Sequence, residues 1–203
     1  MVMIIIIIYN SRHYHYIKEN FMIGVGERMP EFELISVKAG FNEPEESGTS
    51  AFDTFSNTSF KGKWKVIYFY PKDFTFICPT EIIEFASIND QLENKNCVLI
   101  GGSTDNEFCK LAWRRDHPGL SKLNHMSFAD PQGKLIKQLG LMSEEGVAYR
   151  ATLIVDPDNI VQHVCVNALD TGRNPAETLR TLEALQAGGL TACNWKPGQD
   201  LLG

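Results

Sequence analysis

The chain has 203 residues, enough for one domain or a domain with a short extension. Hydrophobic residues make up 43% and charged residues 22%, a globular balance that excludes a disordered, collagen-like or coiled-coil chain. Nineteen basic against 25 acidic residues give a formal net charge of −6, which speaks against a nucleic-acid surface.

Five cysteines, an odd number and widely scattered, do not make the disulfide framework of a small secreted domain. Free thiols in a reducing, cytoplasmic compartment are the simple expectation.

The chain opens with Met1-Val2-Met3, then the isoleucine run Ile4 to Ile8 and Tyr9. This run is far shorter than the ~20 apolar residues that span a bilayer, so no membrane partner is expected. No basic residue precedes it, and Arg12, His13, Tyr14, His15 and Tyr16 stand where a signal cleavage site would fall. Three readings stay open for residues 1–22: a disordered extension, an added edge strand, or an upstream start with Met22 as the natural initiator.

Residues 38–63, rich in Gly, Ser, Thr, Asn and Glu, read as turns and short strands. Lys65 to Tyr70 is a continuous apolar-dominated run that stops at Pro71, the pattern of a strand buried on both faces. From Thr80 to Leu92, the residues Ile82, Phe85, Ala86 and Leu92 recur at helical spacing. Val98-Leu99-Ile100 predicts a second buried strand. Asn106 to Asp116 predicts a helix with the apolar residues Phe108, Leu111 and Ala112 on one face.

Ala151 to Val155 and Ile160 to Val164 flank Asp156-Pro157-Asp158-Asn159, the signature of a hairpin. Asn174-Pro175-Ala176-Glu177 is a helix start with Asn174 as N-cap and Glu177 placed to close a capping box. Leu179, Leu182 and Leu185 form its inner stripe, and Gly188-Gly189 ends it. The order predicts an α/β domain over residues 23–187 with a partly parallel sheet, followed by a tail over 188–203.

Chemistry points to Pro71-Lys72-Asp73-Phe74-Thr75-Phe76-Ile77-Cys78-Pro79-Thr80-Glu81, between the buried strand and the amphipathic helix. Pro79 fits the first helical position, which puts Cys78 at or beside the N-cap, against unpaired N–H groups and the positive end of the helix dipole. Both favour a thiolate, the nucleophilic form. Thr75 can turn its hydroxyl toward the sulfur or toward a substrate oxygen. Glu81 opposes a thiolate, and the local sequence offers only Lys72 in compensation, so a distant Arg is implied. On these residues alone, a reactive Cys78 and an inert core cysteine stand about even.

The segment resembles the peroxidatic-cysteine motif of the peroxiredoxins: Pro71, then Thr75 four residues on, then Cys78 three later. The longer string Phe74 to Glu81 is similar to the typical 2-Cys branch of the alkyl hydroperoxide reductase C type, and the likeness runs from about Ile23 to Leu202. The resemblance implies a thioredoxin-like fold: a central mixed sheet flanked by helices, with a C-terminal extension. It implies a thiol-specific peroxidase acting on hydrogen peroxide and organic hydroperoxides, without metal or organic cofactor.

By the same resemblance, Cys78 attacks the peroxide and becomes a sulfenic acid. Arg150 stabilises the thiolate and polarises the peroxide, Thr75 aligns it, Pro71 shields the site, and Glu81 holds Arg150. Cys193, in Ala192-Cys193-Asn194-Trp195, would be the resolving cysteine. It would reach across from the partner subunit, in a homodimer or ring of dimers, to form a disulfide that a thioredoxin-like or flavoprotein reductant recycles.

Thr191 stands where some relatives carry a further Cys. The chain lacks the Gly-Gly-Leu-Gly insertion and the C-terminal Tyr-Phe helix of overoxidation-sensitive members, so resistance to overoxidation is expected. Two alternatives stay open: a one-cysteine peroxidase with Cys193 incidental, and a chaperone-like ring with peroxidase activity secondary.

Cys97, Cys109 and Cys165 are expected to be packing or incidental thiols, and no Cys-x-x-Cys occurs. His117 and His163 lack a ligand-spaced partner, and His125 falls in a loop. Trp113 and Trp195 read as core or interface aromatics. Arg173 reads as decoration at a helix entry, and the family often has an Arg there near its dimer interface.

Overall fold

The computed structural model describes residues 21–41 and 50–203. The isoleucine run and the readings attached to residues 1–20 lie outside them. Twelve elements follow in chain order: β1 (Glu33–Val37), β2 (Phe52–Ser56), β3 (Trp64–Phe69), α1 (Ile77–Ser87), α2 (Asn89–Glu93), β4 (Cys97–Ser103), α3 (Glu107–Asp116), β5 (Met126–Ala129), α4 (Lys134–Gln138), β6 (Arg150–Val155), β7 (Val161–Asn167) and α5 (Pro175–Ala187).

The strands form one seven-stranded sheet in the order β2-β1-β5-β4-β3-β6-β7. The centre, β3-β4-β5, is parallel, and the flanking pairs are antiparallel. The expected mixed sheet is therefore present, and the hairpin β6-β7 turns at Asp156–Asn159 as its composition predicts.

Strand alternation sorts side chains into two cores. From β3, Ile67 and Phe69 enter one core with Leu135, Ile136 and Leu139 around α4, while Val66 and Tyr68 enter the other with Ile82, Phe85, Trp113, Leu179 and Leu182. Each fully buried side chain of this size contributes roughly 1.5–3 kcal/mol. Gly101 and Gly102 leave room for rings: a Cβ at the first would overlap Tyr68, and at the second Phe128.

Three local expectations are corrected. The helix predicted over Thr80–Leu92 is two helices, α1 and α2, meeting at Ile88. On α3, Phe108 is 65% exposed and Ala112 is exposed. The buried residues there are Lys110, Leu111, Trp113 and Arg114. Two cations take the inner face because each finds partners inside: Lys110 meets Asp73, and Arg114 donates to the Lys38 and His125 carbonyls.

Finally, Asn174 accepts from the Glu177 N–H, but the Glu177 carboxylate turns to Arg180, so the capping box is half made. Leu185 is only partly buried, and Gly188 ends α5 in the left-handed region at φ 71°.

Candidate active site

The site forms where β3 ends and α1 begins. Tyr70 continues the sheet by donating its N–H to the Gly102 carbonyl at 3.0 Å. Pro71 is buried and Lys72 exposed, so Lys72 is not the cation beside the sulfur. Asp73 donates its N–H to Asp105 Oδ2 at 2.7 Å. Thr75 donates its hydroxyl to the Lys72 carbonyl at 3.0 Å, which leaves its oxygen free only to accept.

Helix α1 starts at Ile77 with Phe76 as N-cap and no side-chain cap. Cys78 thus lies in the first turn, not at the N-cap, and Pro79 is the third helical residue. Pro79 is tolerated there because the first four N–H groups of a helix have no intrahelical acceptor to lose. The uncapped N–H groups and the positive end of the dipole remain near the sulfur.

Cys78 is 1% exposed. Arg150, the first residue of β6, donates from Nη1 to the Cys78 Sγ at 3.4 Å and to Glu81 Oε2 at 2.6 Å. Its Nε is fixed by the Leu169 carbonyl at 2.7 Å. The distant arginine that the local charge balance demanded is therefore in place, 72 residues along the chain. Burial pulls the Arg150 pKa down, but the Cys78 sulfur and the Glu81 carboxylate more than reverse this and leave it raised.

Glu81 does not face the sulfur alone. Arg173 donates from Nε to Oε1 at 2.8 Å, from Nη2 to Oε2 at 3.0 Å, and from its backbone N–H to Oε1 at 3.0 Å. Burial raises the Glu81 carboxyl, and hydrogen bonds and charge from Arg173, then Arg150, bring it below its ordinary value. The Arg173 guanidinium lies over the rings of Phe85 and Tyr68, 5.3 and 5.6 Å from their centroids.

Arg173 thus belongs to the charged cluster around Glu81 and is not mere helix-entry decoration; sequence reading did not place it beside Cys78. The available signal was the charge count around Glu81: one carboxylate beside a thiolate leaves room for more than one cation.

The other cysteines differ. All five are free thiols. Burial pushes the Cys97 thiol up to about 12. Burial and the carboxylates of Asp73 and Asp105 push Cys109 up to about 11. Cys193 is exposed in the tail beyond α5. That tail is anchored by Trp195, which is buried, donates from Nε1 to the Gln199 carbonyl, and accepts on its own carbonyl from Arg180 at 3.1 Å. Leu190 and Leu202 close it with a bridge.

Among the described residues, no group of three or more His, Cys, Asp or Glu side chains can hold a metal, and no helix is long and apolar enough to cross a membrane.

The chain as a whole is similar to known proteins. The chain is 40% identical over 183 residues to the alkyl hydroperoxide reductase C of Mycolicibacterium smegmatis, covering 87% of this chain and 92% of that one. It is 36% identical over 186 residues to peroxiredoxin-2 of Bos taurus, covering 88% of each.

Among solved structures, Mycobacterium tuberculosis AhpC matches with a TM-score of 0.77 at 37% identity, covering 86% of this chain and 99% of that one. The reduced 2-Cys peroxiredoxin of Plasmodium vivax matches with a TM-score of 0.78 at 33% identity, covering 87% and 91%.

The thioredoxin-like sheet and these relatives define the class: a peroxiredoxin, an enzyme of the thiol-peroxidase type. Within that class the chain belongs to the AhpC/TSA family, which its residues 25–164 match.

Proposed function

We propose that the protein reduces hydrogen peroxide and organic hydroperoxides through Cys78, and that Cys193 of a partner subunit completes the cycle. The observation that carries this reading is the 3.4 Å contact from Arg150 Nη1 to the Cys78 Sγ, in the first turn of an uncapped helix. A guanidinium and helix N–H groups beside a sulfur stabilise its anion, the form that attacks oxygen.

In the first step the Cys78 thiolate attacks the terminal oxygen of ROOH. An S–O bond forms, the O–O bond breaks, and the departing alkoxide takes from solvent a proton equivalent to the one Cys78 released on ionising, leaving as ROH and the sulfur as a sulfenic acid. Arg150 offsets the charge moving onto the leaving oxygen. The Thr75 oxygen, its own proton already given to the Lys72 carbonyl, accepts the hydroperoxide O–H and sets the line of attack. Pro71, buried just after β3, shields the site from water. Glu81, gripped by Arg173, keeps the Arg150 fork in place.

In the second step the Cys193 thiol attacks the sulfenic sulfur, expelling water and forming the disulfide. Because Cys78 is 1% exposed, this step requires its helical turn to unwind. A dithiol reductant, thioredoxin-like or carried by a flavoprotein, then supplies two electrons and two protons to restore both thiols. No organic cofactor or metal enters the cycle.

Assembly as a homodimer or ring of dimers is supported by β7, which stands at the sheet edge with half-buried residues from Gln162 to Asn167. It is also supported by Phe76 and Phe108, 96% and 65% exposed. A cytoplasmic setting agrees with five free thiols.

The test is peroxide consumption by the reduced protein with dithiothreitol or thioredoxin as electron donor. Turnover is expected in the wild type, with loss in Cys78→Ser. In Cys193→Ser freed of reductant, one equivalent of peroxide is expected to be consumed rapidly, with no linked dimer on a non-reducing gel. Full turnover by Cys78→Ser would overturn the proposal, and a linked dimer formed by Cys193→Ser would overturn its second step.

A further inference from the structure

Behind the loop that leads to Cys78 lies a second set of buried charges that the steps above do not use. The side chains of Lys110 and Asp73 are 1% and 0% exposed. The Lys110 ammonium donates to Ser103 Oγ at 2.7 Å, to Tyr70 Oη at 3.1 Å and to Asp73 Oδ1 at 3.2 Å. That gives each of its three protons an acceptor.

Ser103 Oγ lies 3.2 Å from both Asp73 Oδ1 and Asp105 Oδ2, and it accepts the Asp105 N–H at 3.1 Å. Asp105 in turn accepts the Asp73 N–H at 2.7 Å. The end of β4, the inner face of α3 and the start of the loop are thus joined at one point. A buried lysine persists only when so completely paired.

The loop is held differently past that point. Phe74 has φ 54°, left-handed and strained for a bulky residue, and is 53% exposed. Its ring packs on Trp113, with centroids 5.6 Å apart. Phe76 is 96% exposed, and α1 opens without a side-chain cap. The chain is therefore fixed through Asp73 by a buried ion pair, whereas beyond it Phe74 and Phe76 are exposed, the helix opens uncapped, and the turn is held chiefly where Arg150 meets the Cys78 sulfur.

From this contrast we propose that Lys110, Asp73 and Ser103 form a clamp that fixes the upstream end of the reactive segment. Phe74 is the hinge, and unwinding of the Cys78 turn stops at Asp73. The inference rests on the chemistry proposed above for Cys78 and Cys193. All three are positioning residues, since none touches the sulfur or the peroxide.

The clamp sets the balance between two fates of the sulfenic acid. While the turn is wound, a second hydroperoxide converts Cys–SOH to Cys–SO2H and leaves as ROH. Once the turn unwinds, Cys193 converts Cys–SOH and its own thiol to a disulfide and water. Loosening the clamp therefore slows the first attack on peroxide and diverts the sulfenic acid toward the disulfide.

The experiment compares the full-length wild type with Lys110→Met and Ser103→Ala. Three quantities are read: the second-order rate of the reduced protein with hydrogen peroxide, the fraction of Cys78 reaching sulfinic acid per turnover, and amide hydrogen exchange over residues 66–73 and 74–80. In the variants the 66–73 amides are expected to exchange about tenfold faster. The peroxide rate is expected to fall by about tenfold, while the sulfinic fraction falls too.

A purely structural role would lower stability without lowering the sulfinic fraction, and an unchanged or higher fraction would overturn the clamp. If Lys110→Met does not fold, Ser103→Ala decides alone, and a Ser103→Ala protein matching the wild type in all three readings also overturns it. A wild type inert to peroxide would instead overturn the proposed function, and the exchange comparison would still judge the clamp.

Discussion

Arg173 holds Glu81 by three hydrogen bonds, from Nε, Nη2 and its own backbone N–H, at 2.8 to 3.0 Å. Glu81 passes that order to Arg150, and Arg150 to the sulfur. Removing Arg173 leaves a buried carboxylate with half its partners. Arg173→Met is expected to cost about 3–5 kcal/mol of stability, as when a buried pair loses one member. It is also expected to slow the reaction with peroxide by about 10- to 100-fold through misplacement of Arg150. Arg173→Lys keeps the charge but not the fork, and should recover only part of either loss. Denaturant unfolding and stopped-flow kinetics measure the two effects.

Glu81 also gives a dependence on acid. Its carboxyl is lowered in the folded protein, so its contribution is complete above the unfolded value of about 4.3 and is lost as pH falls from there through the folded value. Glu81→Gln is expected to be less stable than the wild type at pH 7. The gap should narrow below about pH 4.3, by at most about 1.4 kcal/mol per pH unit. Urea unfolding between pH 3 and pH 7 checks the window.

His125 acts at higher pH. It is 2% exposed and its Nε2 meets the Tyr68 hydroxyl at 2.6 Å. Burial, aided by the charge of Arg114, lowers its pKa to about 3. The unfolded chain therefore binds a proton below about pH 6.5 that the folded chain refuses, and stability is lost as pH falls from about 6.5 toward 3. His125→Gln keeps a polar partner for Tyr68 and cannot titrate. It should flatten the stability profile between pH 4 and pH 6 by up to about 1.4 kcal/mol per unit. His163, also lowered by burial, contributes a slope of the same sign.

The cysteines should separate by chemistry. Cys97 and Cys109, with thiols at about 12 and about 11, are almost wholly protonated at neutral pH. Treatment of the native protein with iodoacetamide at pH 7.5, followed by peptide mass spectrometry, is expected to leave both unmodified while exposed Cys193 is alkylated. Modification of Cys97 at a rate equal to that of Cys193 would contradict the burial account.

Much of the architecture could be read from short-range pattern. The apolar run Lys65–Tyr70, the hairpin around Asp156–Asn159 and the Asn174 cap each declared themselves within a few residues. The candidate site was legible wherever the motif is local, from Pro71 to Glu81.

What escaped depends on partners far along the chain. Lys110 and Arg114 look like solvated charges until Asp73 and the Lys38 and His125 carbonyls are seen to meet them. Arg173 looks like surface until Glu81 is found beneath it, 92 residues away. Strands β1 and β5 went unread because they are only five and four residues long, with polar Ser36 and Ser127 among their inward positions.

The central claim is that Cys78 and Cys193 of different subunits are the reacting pair. Reduced protein with natural nitrogen and with nitrogen-15 is mixed, exchanged into common oligomers, treated with one equivalent of hydrogen peroxide and digested without reduction. The account predicts a Cys78–Cys193 linked peptide that includes light–heavy hybrids. A linked peptide found only as light–light and heavy–heavy after complete subunit exchange, or one lacking Cys78, would contradict it.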